Sequence, residues 1–296
     1  MRLLLKRGVE LGLCRSGLTR LARRLRRQDV LVLAYHNVVP DGEPVRGERS
    51  LHIRQGDLHR QLSLLARTHQ FTSLRGIRNP GSGRARVAVT FDDAYRGAVQ
   101  AGVEVLAELG VPATVFVVPS CLGGQWFWWD LLSQERDMDP RVREHALHQL
   151  QGKAPAVLAW MPPPVTDGLP DHHATATPEE LDAALGYHQL ELGSHTWSHP
   201  NLATLEEPEL LEELRRPLQW LRARYGERVT DLLSYPYGRW SPDVARLARE
   251  VGYGGGFRIE GGWVRDERDL FAMPRRNVPR GLSLDGFELR ASGLLG

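Results

Sequence analysis

Three observations predict an α/β fold built on parallel strands. Between Val30 and Val118, short β-branched runs alternate with helical spacing in the order strand, helix, strand, helix, strand, which argues for a parallel sheet or barrel. Polar signatures stand where strand-like runs end: His36, Asp92-Asp93, His195 with His199, and the loop Tyr235-Pro236-Tyr237-Gly238. In parallel α/β folds functional groups gather at the carboxyl ends of strands. A structural histidine explains any one of these signatures and explains the set poorly. The third observation is length: 296 residues bury a sizeable core, as one large domain or two smaller ones.

The elements follow in order. Val30 to Tyr35 is a buried-strand pattern ending at His36, and the polar stretch Asn37 to Gly47 reads as a loop. Gln55 to Thr68 has helical spacing at Leu58, Leu62 and Leu65. Asn79 to Gly83 is a turn cluster before the strand Val87 to Phe91. Ala94 to Leu109 is helical, with Gly110 placed to end it. Pro112 leads into the strand Ala113 to Val118. Residues 120–176 break this rhythm and read as an insertion, with a helix over Asp139 to Leu150 and a breaker at Met161 to Pro164. Its aromatic run Trp126 to Trp129 suits either a local hydrophobic core or stacking on sugar rings. Thr177, Pro178 and Glu180 form a helix start, running to about Leu185. A strand at Glu191 to Gly193 delivers His195 and His199. Glu206 to Arg224 is a long helix with Pro217 marking a kink. Thr230 to Ser234 is a strand, Ser241-Pro242 opens a helix to Val251, and Tyr253 to Ile259 and Leu270 to Val278 are closing strands.

Composition narrows the classes. A formal net charge of +2 gives no overall case for nucleic-acid binding. Two cysteines, Cys14 and Cys121, are no disulfide framework and fit a reducing compartment. Residues 1–28 stand apart as a basic amphipathic helical segment, and residues 29–296 read as a single domain. Met1 to Val30 carries nine Arg or Lys against Glu10 and Asp29, with no apolar run of signal-peptide or membrane-spanning length. Either the leucines of this segment pack on the domain, or residues 1–27 lie on an anionic membrane face. The expectation is a cytoplasmic protein, peripheral to the inner membrane in the second case.

The chemistry centres on Asp92 and Asp93. A buried strand has no structural use for two adjacent carboxylates at its tip, which repel unless a cation or proton intervenes. His195 and His199, four residues apart, allow both imidazoles to reach one ion, and Pro200 favours a loop or a single turn there. Two histidines and one carboxylate make a three-ligand site with open positions, a catalytic arrangement rather than a closed structural one. Zinc is the default ion.

Thr90-Phe91-Asp92-Asp93, Ser194-His195-Thr196-Trp197-Ser198-His199-Pro200-Asn201-Leu202 and Tyr235-Pro236-Tyr237-Gly238 resemble, in order, the motifs of the polysaccharide deacetylase family, also called the NodB-homology or carbohydrate esterase family 4 fold. The resemblance spans about Val30 to Val278. It implies a distorted (β/α)7-type barrel and a bacterial metal-dependent hydrolase that removes N-acetyl groups from an amino-sugar-containing polysaccharide or lipid-linked saccharide. It also implies that Asp93, His195 and His199 bind one divalent ion, most simply Zn2+, that Asp92 is the general base, and that the Tyr237 N–H holds the oxyanion. O-acetyl esterase chemistry at the same site, or glycan binding by a vestigial one, are the alternatives.

Two departures accompany the resemblance. The family commonly has an Arg two residues before the proline of the third motif, where this chain has Ser234. It also commonly has a late acid histidine, and here no histidine follows His199. Ala34-Tyr35-His36-Asn37-Val38 and Met273-Pro274-Arg275-Arg276-Asn277-Val278 resemble segments of a rearranged branch that includes exopolysaccharide-modifying deacetylases. That implies His36 as the general acid and Arg275 as the partner of Asp92.

Overall fold

The computed structural model describes residues 2–79, 83–133, 137–164, 168–265 and 270–295, with side chains from Arg7 onward. Most of the Asn79 to Gly83 turn cluster lies outside the described residues. In chain order the elements are α1 (Arg2–Arg15), α2 (Leu18–Leu25), β1 (Val30–Tyr35), β2 (Asn37–Val39), β3 (His52–Arg54), α3 (Gln55–Thr68), β4 (Gln70–Phe71), β5 (Arg86–Phe91), α4 (Val103–Leu109), β6 (Ala113–Val117), α5 (Trp128–Ser133), α6 (Pro140–His148), α7 (Ala154–Trp160), α8 (Pro178–Ala184), β7 (Leu190–Ser194), α9 (Glu207–Tyr225), β8 (Val229–Ser234), α10 (Pro242–Val251), β9 (Gly255–Ile259), β10 (Trp263–Val264), β11 (Met273–Asn277) and α11 (Leu284–Ser292).

Seven of these strands close into a parallel barrel in the order β1, β5, β6, β7, β8, β9, β11, with β11 returning to β1. The seam is set by Leu33 opposite Arg276 and Ala34 opposite Asn277. Two short strands fill the splayed amino-terminal ends. β4 adds to β5 at Arg86 and Val87, below the β6 pairing that starts at Val89. β10 adds antiparallel to β1 at Val30 and Leu31, below the pairing with β11.

The two-residue strand period sorts the side chains. Leu31, Leu33, Tyr35, Val87, Val89 and Phe91 face outward, into a core shared with the surrounding helices. Val32, Ala88, Phe116, Leu232, Phe257 and Met273 fill the interior. Gly193 is required there: a Cβ would lie 2.6 Å from the ring of Phe116. One period further along β8 and β11, and two along β1 and β5, come Ser234, Arg275, His36 and Asp92, the polar layer at the carboxyl end.

Local signals act as their chemistry dictates. Thr177 and Glu180 form a reciprocal capping box, with Pro178 in the first turn. The Ser241 hydroxyl accepts from the Val244 N–H, and Gly110 ends α4 at φ 64°.

Two local expectations are corrected. Asn37 to Val39 is no loop but strand β2, paired in parallel with β3. The helix expected from Ala94 starts later, through a π-helical turn over Ala98–Gly102, because Asp93 and Ala94 take φ of 72° and 52° and turn the chain first. Pro217 is buried within an unbroken α9. The N-terminal segment is helical, in two pieces divided at Gly17 (φ 82°).

Candidate active site

Each strand of the polar layer hands a side chain to one cavity. His36, Asp92, Asp93, His195, His199, Tyr237 and Asn277 line it, together with Trp128, Trp129 and Arg143 from the insertion. Arg275 lies beneath them and is fully buried.

The backbone is strained where the ligating residues sit. Asp93, Ala94, Thr196, His199 and Tyr237 all have positive φ. Such conformations cost of order 1–3 kcal/mol each in a non-glycine residue and persist only where surroundings enforce them. Here they lie in the loops that follow β5, β7 and β8.

Asp93 Oδ1 lies 3.5 Å from His195 Nε2 and 3.3 Å from His199 Nε2. The two imidazole Nε2 atoms are 3.1 Å apart. His195 Nδ1–H donates to the Ser234 carbonyl at 2.8 Å, which fixes the tautomer and leaves Nε2 as a bare acceptor. Asp93 Oδ1 is buried without any hydrogen-bond donor. Burial raises the Asp93 pKa well above the usual carboxylate range, with Asp92 and then Asp130 adding to it. Burial, and then His195, pushes the His199 pKa well down. Converging acceptors, an unpaired carboxylate oxygen and histidines held neutral are what a divalent cation requires of its ligands. Asp93, His195 and His199 fit such an ion.

Asp92 is treated differently. Arg275 closes on it with both terminal nitrogens, each 2.7 Å from a carboxylate oxygen. The same guanidinium donates to Thr90 Oγ1 at 3.0 Å and Ser234 Oγ at 2.6 Å, and Ser234 Oγ donates to Asp92 Oδ2 at 3.3 Å. Burial alone would raise the Asp92 pKa, but Arg275 and then His195 outweigh it and hold the carboxyl well below its ordinary value. The serine at the family's usual arginine position is thus part of the clamp that Arg275 supplies from β11.

His36 shares the cavity. Burial pushes its pKa down to about 4, against the opposing pull of Asp92. Tyr237 lies in a tight turn whose main-chain bonds run from the Gly238 N–H to Tyr235 and from the Arg239 N–H to Pro236. Its hydroxyl is committed elsewhere, accepting from Trp128 Nε1 at 3.2 Å and donating to the Gly152 carbonyl at 3.3 Å.

The insertion forms one wall. Phe127, Trp128 and Trp129 are buried, and Trp129 packs against His199 with ring centroids 5.0 Å apart. They serve as core while their edges line the cavity. Only Trp126 of that run is exposed.

A buried carboxylate behind this wall was not singled out from the sequence. Asp130 accepts from Tyr95 Oη at 2.6 Å, the Glu48 N–H at 2.8 Å and His52 Nε2 at 2.8 Å. Tyr95 Oη in turn accepts from Trp129 Nε1 at 2.8 Å. This chain runs from β3 through Asp130 and Tyr95 to the ring that supports His199. Its one local sign is an acid directly after an aromatic run; Tyr95 and His52 become its partners only through the fold.

The profile of the polysaccharide deacetylase family matches residues 80–256, more than half of the chain. The strands bearing His36 and Arg275 lie outside that stretch. YxkH of Bacillus subtilis (strain 168), itself named as a polysaccharide deacetylase, is 22% identical over 201 residues. The aligned part is 68% of this chain and 54% of that protein, so the chain spans about half the length of this relative. BC0361, a polysaccharide deacetylase from Bacillus cereus, superimposes with a TM-score of 0.65 at 16% identity, covering 89% of this chain and 69% of that one. The Streptococcus pyogenes deacetylase PplD, solved with acetate, gives 0.61 at 15% identity, covering 87% and 96%. The shared fold is the closed seven-stranded barrel. With these strands, these motifs in this order and this extent of match, the chain belongs to the polysaccharide deacetylase family.

Proposed function

We propose that this chain is a metal-dependent hydrolase that removes N-acetyl groups from an amino-sugar-containing polysaccharide or lipid-linked saccharide. The observation that carries the reading is the division of the adjacent carboxylates. Asp93 is aimed with His195 and His199 at one point, while Asp92 is held ionised by Arg275 beside it. A divalent ion on the first three, Zn2+ by the donor set, supplies Lewis acidity toward an acetyl carbonyl and a water. Asp92 accepts a proton from the attacking water through a carboxylate lone pair that Arg275 leaves open. The Tyr237 N–H donates to the carbonyl oxygen as it gains charge. His36, neutral at rest, takes up a proton from solvent as negative charge developing in the cavity raises its pKa, and passes that proton to the departing nitrogen. The aromatic wall of Trp128 and Trp129 excludes water from one side.

The test is acetate release by the metal-loaded chain from N-acetylated and from O-acetylated saccharides, beside His36→Gln. The reading expects turnover on the acetamido sugar and a drop of about a hundredfold or more in kcat for the variant. Turnover confined to O-acetyl substrates would make it an esterase. Glycan binding without turnover of either would reduce it to a binding protein.

A further inference from the structure

Helix α2 turns its leucines to solvent. Thr19 and Ala22 are buried toward the protein. Arg23 reaches inward to Glu288 of α11 at 2.9 Å, and the Arg26 guanidinium stacks 4.5 Å from the ring centroid of Trp263. Leu18, Leu21 and Leu25, which fall on one stripe at helical spacing, face solvent with exposures of 43, 55 and 76%. The preceding helix α1 adds exposed Val9 and Leu11, and Leu284 at the start of α11 is exposed too. Cys14 of α1 donates to the carbonyl of Asp285, so α1 lies against that first turn of α11. A helix folded only to complete the core would bury its leucines and expose its arginines. This one leaves its leucines in solvent and turns Arg23 inward, while Arg20 and Arg24 stay exposed beside them.

Among the described residues the charge around the stripe is one-sided. Arg7, Arg15, Arg20, Arg24 and Arg27 are exposed. The acids of the neighbouring elements are largely committed. Glu10 is buried and accepts from Ser283 Oγ, Glu288 holds Arg23, and Asp29 holds Arg265. Pairing with a second copy of the chain would bring like charges together. An anionic lipid surface accepts both components: leucines enter the acyl boundary, and arginines beside them reach the headgroups. None of these residues lines the cavity, so this face leaves the cleft open.

We propose that α1 and α2 form a membrane-docking face, on which Leu18, Leu21 and Leu25 insert into an anionic bilayer and the exposed arginines pair with its phosphates. No helix of the described residues is long and apolar enough to cross a membrane. The inference is independent of the reaction proposed above.

Sedimentation of the full chain with vesicles tests it. Vesicles of phosphatidylcholine containing phosphatidylglycerol should carry the protein down, and vesicles of phosphatidylcholine alone should carry much less. Leu18→Ser/Leu21→Ser/Leu25→Ser should lower binding about tenfold or more while leaving the thermal midpoint and acetate release unchanged. Arg20→Gln/Arg24→Gln should weaken binding and flatten its dependence on phosphatidylglycerol. The proposal is overturned if the wild type stays in the supernatant with both vesicles, or if the triple variant binds as the wild type does. It is equally overturned if analytical ultracentrifugation shows a dimer that the triple variant converts to monomer, since a second copy would then occupy the face.

Discussion

Arg275 and Asp92 stand 183 residues apart in sequence and meet through two parallel hydrogen bonds of 2.7 Å. They meet because β11 closes the barrel against β1, which pairs on its other side with β5. The pair is buried, so its strength lies in geometry: both carboxylate oxygens are engaged, and Thr90 and Ser234 take further guanidinium hydrogens.

Removing Arg275 is therefore expected to cost more than a surface ion pair would. Arg275→Met leaves Asp92 buried without its cation, a loss of about 3–5 kcal/mol, readable as a lower denaturant midpoint at neutral pH. The sign follows from the lowered Asp92 pKa. In the wild type the pair contributes above the unfolded-state pKa and is lost as pH falls through the folded value. The variant's deficit should accordingly be largest at neutral pH and shrink in acid. An equal deficit at every pH would mean that packing, not charge, was lost.

Asp92→Asn and Asp93→Asn should part company although the residues are neighbours. Metal analysis of the purified proteins is expected to find the divalent ion retained in Asp92→Asn, with turnover reduced by about a thousandfold or more. Asp93→Asn, like His199→Ala, should lose the ion itself, because each takes one donor from a three-donor set. Equal loss of metal from both aspartate variants would contradict the division of roles.

Asp130→Ala deprives the Tyr95 hydroxyl, the Glu48 N–H and His52 of a shared acceptor in the interior. An unsatisfied buried donor costs about 1–3 kcal/mol, so a destabilisation of several kcal/mol is expected by chemical denaturation. Because Trp129 is tied to Tyr95 and packs on His199, metal affinity should fall with it. A fully stable variant with unchanged metal affinity would show that the network supports nothing beyond itself.

Acid should unfold the chain partly through histidines remote from the ligand set. Burial, with Arg23 next, pushes His69 down to about 4, and burial, with His52 next, pushes His173 to about 3. A folded pKa below the unfolded value near 6.5 means that the unfolded chain binds the extra proton. Stability should then be constant above about pH 7 and decline as pH falls from 6.5 toward 4, by an amount of the order of 3 kcal/mol per histidine. His69→Gln should flatten that slope, as followed by urea midpoints across the range.

Much of this was legible one residue at a time. The Asp-Asp tip, the four-residue histidine spacing, the capping box at Thr177 and the glycine at 110 act through neighbours in sequence, so their chemistry can be read from the string. The N-terminal leucines were not legible in this way. Periodicity shows that a stripe exists, but not which way it faces, and here Arg23 and Arg26 find Glu288 and Trp263 and turn it outward.

Sequence alone determined the types of the main barrel strands and helices, the candidate ligands and the lack of a histidine after His199, because each depends on residue identity and short spacing. The tertiary structure decided what those residues meet. It placed His36 in the cavity, set Arg275 against Asp92, joined Asp130 to Tyr95 and His52, and turned the leucines of α2 outward. The physical reason is closure: a seven-stranded barrel makes its first and last strands neighbours, and no local interaction in a linear chain specifies that contact.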